Sequence, residues 1–196
     1  MNEKIDRRKK YTRMVLKDAI IQLLKEKPIT SITVKELCLL ADINRSTFYG
    51  HYTDQYDLLD KISEEVVEDM YQTLNQYNFN KEEEALQMTE KILEYVADKS
   101  DLCQVLLSEN VDSTFKKQVM ELTKHIIMRE WIEDFTMNDK LSEYIPLLVL
   151  SGSIDAIESW LINGQKESPK EMATLIHHFT NYGLMGFVQR ERGKEE

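Results

Sequence analysis

Residues 33–52 read TVKELCLLADINRSTFYGHY, and this stretch decides the fold because its pattern predicts two short helices joined by a tight turn. Thr33 is a suitable cap for the first helix, and Asn44 is suitable for a second helix that begins at Arg45. The turn falls on Asp42, since Asp is among the few non-glycine residues that readily adopt the left-handed conformation. The stretch therefore predicts a helix-turn-helix.

The same stretch and its surroundings carry a family resemblance. The matching residues are Thr12-Arg13, Ala19, Leu23, Thr33-Val34, Ala41, the run from Arg45 to Asp54, and Leu58-Leu59. On these residues the chain resembles the TetR family of bacterial transcriptional regulators. The resemblance implies an all-α fold with a three-helix helix-turn-helix DNA-binding domain over residues 1–56. Residues 57–196 are then expected to form a helical regulatory, ligand-binding and dimerisation domain.

Three positions depart from the family pattern. Asp42 stands where the family often has Gly, Tyr52 stands where it has Phe, and Gln55 stands where a Lys commonly begins the next helix. In the family that Lys touches a DNA phosphate. Gln55 can still form a hydrogen bond but lacks the charge, which bears on the affinity for DNA and on its salt dependence.

The resemblance implies a role for each residue around the second helix. This helix enters the major groove, where Arg45 and Ser46 reach base edges while Tyr49 and His51 contact backbone phosphates. Gly50 lets the helix approach the bases because it has no side chain. From the residues alone, half-buried packing for Tyr49, a surface cap for His51 and a solvated charge for Arg45 remain open alternatives. The predicted DNA-binding residues are Thr33, Arg45, Ser46, Thr47, Tyr49, Gly50, His51 and Gln55.

The distribution of charge fits this interpretation better than the total does. The formal net charge of -10 by itself argues against a nucleic-acid partner. However, residues 1–56 hold 11 Lys and Arg against 7 Asp and Glu, whereas residues 57–196 hold 14 against 28. A local positive field attracts phosphate, so the N-terminal residues, including the basic start of the first helix, are expected to face double-stranded DNA.

Other functional classes find little support in the sequence. It lacks Glu-x-x-His repeats, a Cys-x-x-Cys pair, a Gly-rich phosphate loop and a nucleophile elbow, so we expect no enzyme, metal site or cofactor. Cys38 and Cys103 lie far apart in the chain and are expected to be buried as small hydrophobic residues. With no apparent signal peptide or membrane span, we expect a cytoplasmic protein without a membrane partner.

Apolar residues at helical spacing predict helices throughout the rest of the chain. The last helix has the clearest start, because Ser168-Pro169-Lys170-Glu171 is a capping box with proline at the first helical position. The predicted helices run from about Tyr11 to Glu26, from Asp54 to near Asn75, around Glu82 to Asp98, after Ser100, from about Asp112 to Phe135, from Leu141 to Asn163, and from Pro169 onward.

The last two helices carry more apolar residues than burial on one side requires. In the TetR family, the last two long helices of each subunit pack against their copies in a four-helix bundle, so the resemblance implies a homodimer. An ordinary core within one chain is the alternative. The predicted interface residues are Ile154, Ile157, Leu161, Leu175, Phe179 and Met185.

The acidic helical domain is expected to regulate DNA binding, through a small-molecule effector held between helices or through a protein partner. Methionine and aromatic residues are frequent in adaptable pockets, although an ordinary place in the core is the favoured alternative for each of them here. The predicted pocket residues are Tyr95, Cys103, Met120, Met128, Trp131 and Trp160.

These observations predict a sequence-specific DNA-binding transcriptional regulator. The resemblance adds a palindromic operator, and repression as the family's common mode. The alternative is a helical protein-interaction or co-regulator module that has lost specific DNA binding. Gln55 and the acidic total are compatible with that alternative.

Overall fold

The computed structural model describes residues 2–76, 82–111, 113–131 and 144–192. Side chains are described for residues 7–76, 84–111, 113–123, 144, 147–180 and 182. Over the described part of the chain the secondary structure is entirely helical, which confirms the all-α prediction. The helices are α1 (Asn2–Leu24), α2 (Val34–Leu40), α3 (Arg45–Tyr49), α4 (Gln55–Leu74), α5 (Glu82–Asp98), α6 (Ser100–Leu107), α7 (Thr114–Trp131), α8 (Tyr144–Ile162) and α9 (Pro169–Arg192), with one 3₁₀ turn at Ile29–Ser31.

The first helix differs most from its predicted bounds, because it begins nine residues before the predicted Tyr11. The added segment is rich in Lys, Arg and Glu, which favour helix but show no apolar periodicity, so a search for periodicity starts too late. At the other end, the helix stops at Leu24 and a short turn leads to Pro28, whose ψ of 153° places it in extended backbone. Proline therefore lies beyond the end of the helix, as predicted.

Both predicted caps of the helix-turn-helix are present. The hydroxyl of Thr33 accepts a hydrogen bond from the Glu36 N–H at 3.2 Å, and the Glu36 carboxylate accepts one from the Thr33 N–H at 3.0 Å. This is a complete capping box at the start of α2. At the start of α3, the side-chain oxygen Oδ1 of Asn44 accepts from the Ser46 N–H at 3.0 Å.

The turn between α2 and α3 has the left-handed residue that the sequence predicts. Asp42 has a φ of 51°, and the following Ile43 N–H donates to the Cys38 carbonyl at 3.0 Å. This hydrogen bond between residues five positions apart satisfies a carbonyl at the end of α2 that has no partner within the helix. The direction of α3 is thus fixed by backbone hydrogen bonds.

The described chain divides into two compact units, which are considered separately. The first comprises Met1–Val66 and Asp101–Phe115. Within it, α1 packs against α2, α2 packs against α3, and the Asn110 side chain donates to the Leu24 carbonyl at 2.9 Å. Its most deeply buried side chains include Leu16, Ile20, Leu24, Leu37, Phe48 and Leu58.

The second unit comprises Val67–Ser100 and Lys116–Glu196. In this unit α9 packs against α5 and α8, and the Lys116 ammonium pairs with the Glu158 carboxylate at 2.6 Å. The capping box at Ser168 is formed as predicted, since the Glu171 carboxylate accepts from the Ser168 N–H at 2.8 Å. The predicted domain boundary after residue 56 stays a prediction.

Candidate nucleic-acid interface

The second helix of the motif presents a polar surface. Arg45, Ser46, Thr47 and Tyr49 are all exposed on α3, with 59% of Tyr49 accessible to solvent. The Ser46 hydroxyl donates to the Asn44 side-chain oxygen at 3.2 Å, which leaves its lone pairs free to accept. Four of the five side chains of α3 are therefore available to a partner.

The opposite face of α3 is anchored by an aromatic cluster. Phe48 is completely buried. Its ring meets that of Tyr49 edge-on, with centroids 5.5 Å apart, and lies 5.8 Å from that of Tyr52. Edge-to-face packing restricts the Tyr49 ring, so its hydroxyl is directed outward by a buried support. Tyr52 is itself buried, and the Lys61 ammonium lies 5.3 Å above its ring.

His51 follows the end of α3 and is half-buried. Loss of solvent around the imidazole lowers its pKa from the ordinary value of 6.5, and the positive charges of Arg13 and Lys9 lower it further. The free protein therefore favours neutral His51. The same effect shows that α1 brings two cations close to the end of α3. Gly50, between Tyr49 and His51, is exposed. It is the C-cap residue of α3 and has a φ of -75°.

Thr33 and Gln55 lie at the starts of α2 and α4. The Thr33 hydroxyl already donates to the Glu36 carboxylate at 2.8 Å and accepts the Glu36 N–H, so its capacity for further hydrogen bonds is small. Gln55 is half-buried and is the first residue of α4. Asp54 caps that helix by accepting from the Asp57 N–H at 2.9 Å, so the position of Gln55 is well defined.

A cleft with a volume of about 460 Å³ lies between the first half of α1 and the start of α4, and we call it the α1–α4 cleft. From the sequence we expected the basic start of α1 to face DNA but did not predict this cleft. One signal was available, because Lys9, Arg13 and Lys17 are spaced four residues apart and therefore share one face of a helix. The cleft is lined by Lys9, Lys10, Arg13, Met14, Lys17, Tyr52, Lys61, Ile62 and Glu65.

The predicted pocket residues do not all lie in one unit. Cys103 is buried in the first unit, whereas Tyr95, Met120 and Trp160 belong to the second. Trp160 is buried and its indole N–H donates to the Glu167 carbonyl at 2.9 Å; the Tyr95 hydroxyl donates to the Asp69 carboxylate at 3.1 Å. Met120 is half-buried. The side chains of Met128 and Trp131 lie outside the described residues.

The predicted dimer residues differ in exposure. Ile154 and Leu161 are buried within the single chain, and Ile157 is half-buried. In contrast, 58% of Leu175 and 65% of Phe179 are exposed on α9. The side chain of Met185 lies outside the described residues.

Within the part of the chain that the structure describes, no group of three or more His, Cys, Asp or Glu side chains is arranged to hold a metal ion. None of the described helices combines the length and the apolar character that a membrane span requires.

Comparison with known proteins agrees with the fold and the motif. Residues 83–182, just over half of the chain, match a TetR family model described as the transcriptional regulator C-terminal region. The uncharacterized HTH-type transcriptional regulator YxbF of Bacillus subtilis (strain 168) is 34% identical over 65 residues. That match covers 33% of this chain and only 16% of the relative.

Solved structures resemble the chain over most of its length. A TetR transcriptional regulator from Streptococcus agalactiae 2603V superposes with a TM-score of 0.69 at 24% identity, over 92% of this chain and 99% of that one. The transcriptional regulator FadR from Bacillus subtilis, solved in complex with stearoyl-CoA, gives a TM-score of 0.60 at 17% identity, over 85% and 96% of the two chains. The matched family model, together with a formed helix-turn-helix, shows that the chain belongs to the TetR family of DNA-binding transcriptional regulators.

Proposed function

We propose that this protein is a homodimeric repressor that binds a palindromic operator through α3 and is released when an effector acts on its C-terminal helical domain. The observation that carries the DNA-binding part is the division of α3 into two faces. Phe48 is fully buried, whereas the neighbouring polar side chains project into solvent. A helix anchored in this way presents its polar side chains to the major groove without having to rearrange.

The exposed side chains fall into two roles. Arg45 and Ser46 lie in the first turn of α3, and in helix-turn-helix proteins the first residues of the second helix reach base edges. Arg45 is then suited to a bidentate contact with guanine. Thr47, Tyr49 and His51 lie further along and carry the donors that phosphate oxygens require. Gly50 avoids a side chain between these two groups.

The proposed roles are tested by selecting bound duplexes from a random-sequence pool with the full-length protein. Enrichment of a palindrome, with half-sites about one helical turn apart, is the expected result for a dimer. Arg45→Ala should relax the preference at one base position in each half-site and cost about 1–3 kcal/mol there. Lys117→Ala removes another exposed cation, from α7, and should leave the selected sequence unchanged.

Tyr49→Phe tests the phosphate role because it removes the hydroxyl and keeps the ring that packs on Phe48. Binding should weaken by a similar factor on every sequence in the pool. Tyr144→Phe makes the same chemical change at an exposed tyrosine of α8 and serves as the control. If the folded dimer enriches no sequence and flows through heparin at low salt, the chain is instead an interaction module without specific DNA binding.

The dimer part of the proposal rests on α9. Leu175, Phe179 and Tyr182 are spaced three or four residues apart, so they form one stripe, and each is more than half exposed in the single chain. An exposed apolar stripe of this length favours a partner surface. The predicted bundle of α8 and α9 with their copies would cover it. Ile154 and Leu161 would then support the interface from inside the subunit.

The regulatory part requires an effector that binds one arrangement of the dimer better than another, because a ligand with equal affinity for both shifts nothing. The FadR structure from Bacillus subtilis shows a related fold with stearoyl-CoA bound. For this chain we propose only that the effector acts on the second unit. A candidate effector should weaken operator binding by the wild-type protein in a fluorescence anisotropy titration. The same compound should raise the melting temperature in the absence of DNA.

A further inference from the structure

The α1–α4 cleft collects more positive charge than the local structure neutralises. Five cations and one carboxylate line it. Lys17 pairs with Glu65 at 3.3 Å, and Lys61 pairs at 3.0 Å with Asp57, which lies one turn before it on α4. Among the described side chains, Lys9, Lys10 and Arg13 form no ion pair. The cleft is therefore a concentrated positive field with three uncommitted cations at one end.

The spacing of these cations works against the helix that carries them. Lys9, Arg13 and Lys17 follow one another at four-residue intervals, and like charges at this spacing repel each other. In α1 all three line the same cleft. A bound anion would relieve this repulsion. The arrangement is thus better suited to an occupied cleft than to an empty one.

The walls of the cleft are not uniformly charged. Ile62 and Tyr52, which are almost fully buried, contribute to its lining, as does Met14, about half of which is exposed. A volume of about 460 Å³ lies within the range for small-molecule sites and exceeds what a single phosphate group needs. A lining that combines apolar side chains with cations fits an organic molecule that carries phosphate groups.

We propose that the α1–α4 cleft binds a small phosphorylated molecule with two or more phosphate groups, and that its occupancy opposes DNA binding. Lys9 and Arg13 lie close enough to His51 to depress its pKa, so the cleft borders the end of the DNA-reading helix. A polyanion there would neutralise cations that otherwise attract the duplex. The opposition rests on the proposed phosphate contact of His51, whereas binding of the anion does not.

The first test uses sodium tripolyphosphate as the probe, titrated calorimetrically into the full-length protein without DNA. We expect saturable binding of one probe per chain. Met14→Glu places a carboxylate in the cleft, and because Met14 is half exposed, the variant should fold. Tyr11→Glu places the same charge on the same helix at an exposed residue that does not line the cleft. Met14→Glu should weaken binding at least about tenfold, and Tyr11→Glu by less than about twofold.

The second test asks whether the probe and DNA compete. Tripolyphosphate should weaken binding of a labelled duplex by the wild-type protein more than sodium sulfate does at the same ionic strength. Met14→Glu should abolish this difference. Lys25→Gln is the control, because it also lowers the net charge by one unit but lies beyond the end of α1 and does not line the cleft, so the difference should remain.

Three results would overturn the proposal. Equal weakening of probe binding by Met14→Glu and Tyr11→Glu would mean diffuse attraction to a basic surface. Absence of probe binding by a correctly folded wild-type protein, together with weaker DNA binding by Met14→Glu, would assign the cleft to the phosphates of the DNA backbone. Probe binding without any effect on DNA would remove the regulatory part. Because the first titration contains no DNA, its outcome is independent of whether the protein represses an operator.

Discussion

Phe48 and Tyr49 are adjacent in the chain, yet the first is completely buried and the second is 59% exposed. Adjacent helical side chains point about 100° apart, so one turn of helix can hold an anchor and a contact side by side. Helical spacing accounts for this difference between two neighbours. The edge-on contact between the two rings is a tertiary detail that spacing does not contain.

His51 is where protonation and DNA binding should be coupled. Its pKa is lowered in the free protein by loss of solvent and by Arg13 and Lys9. A phosphate beside the imidazole would favour the protonated form and raise the pKa in the complex. Binding should therefore take up a proton, so the affinity should fall as pH rises through the histidine titration range of about pH 5 to pH 8.

Measuring operator affinity across this range, at constant salt, checks the coupling. His51→Gln should flatten the profile, because glutamine keeps a hydrogen-bond donor and does not titrate. His178→Gln is the matched control, since His178 is exposed on α9 in the second unit. An unchanged pH dependence in His51→Gln would remove His51 from the contact with DNA.

The positions of α2 and α3 in the chain are set mainly by the residues at their ends. Thr33 and Asn44 form the helix caps, and Asp42 adopts the left-handed conformation, as their residue types predict. Short-range hydrogen bonds depend on a few neighbouring residues, and the sequence contains all of that information. The start of α1 and the α1–α4 cleft were not predicted. The start of α1 consists of charged residues without apolar periodicity, and the cleft depends on contacts between two helices that lie far apart in the chain.

Glu36 should make the capping box sensitive to acid. Hydrogen bonds from Lys27 and Thr33 lower the pKa of its carboxyl from 4.5 to about 2. Because the folded pKa lies below the unfolded one, this carboxylate stabilises the fold above pH 4.5, and the contribution disappears as pH falls toward 2. Glu36→Gln should therefore lose stability at neutral pH and show a shallower decline in acid. Denaturant unfolding at several pH values measures both. Glu26→Gln, at an exposed residue beyond α1, should retain the wild-type profile.

The turn at Asp42 permits a sharper test of the backbone. With a φ of 51°, this position favours glycine and disfavours residues branched at Cβ. Asp42→Val should destabilise the protein by about 1–3 kcal/mol, whereas Asp42→Gly should be close to neutral. Chemical denaturation followed by circular dichroism distinguishes the two. Equal stability of both variants would show that the turn relaxes to another conformation.

For the whole molecule, the state of assembly decides whether one operator can be bound by two reading helices. Leu175→Asp combined with Phe179→Asp places two charges on the exposed stripe of α9. The variant should sediment as a folded monomer and lose operator affinity. Two separate monomers bind the half-sites independently, whereas in a dimer binding of the first half-site raises the effective concentration of the second subunit at the other. Leu39→Asp changes an exposed leucine of α2 instead and should sediment like the wild type. Dimers that survive the double substitution would place the interface elsewhere.

The division into two units depends on contacts that residue type and spacing do not contain. Cys103 and Tyr95 are only eight positions apart, yet they belong to different compact units. Their place in one ligand pocket stays a prediction. By contrast, the cap at Ser168 and the bounds of α5 follow from local sequence, and both appear as expected.

Cys38 and Cys103 form no disulfide, and both are buried in the first unit. Burial raises the pKa of the Cys38 thiol, which further slows its reaction with alkylating reagents. A buried thiol reacts only in molecules in which the structure around it has opened. The rate at which a maleimide labels the unmodified chain would therefore report how often the first unit, which contains α2 and α3, opens locally. Because Cys38 lies on α2, slower labelling in the presence of an operator would measure how much bound DNA reduces the local opening of this helix.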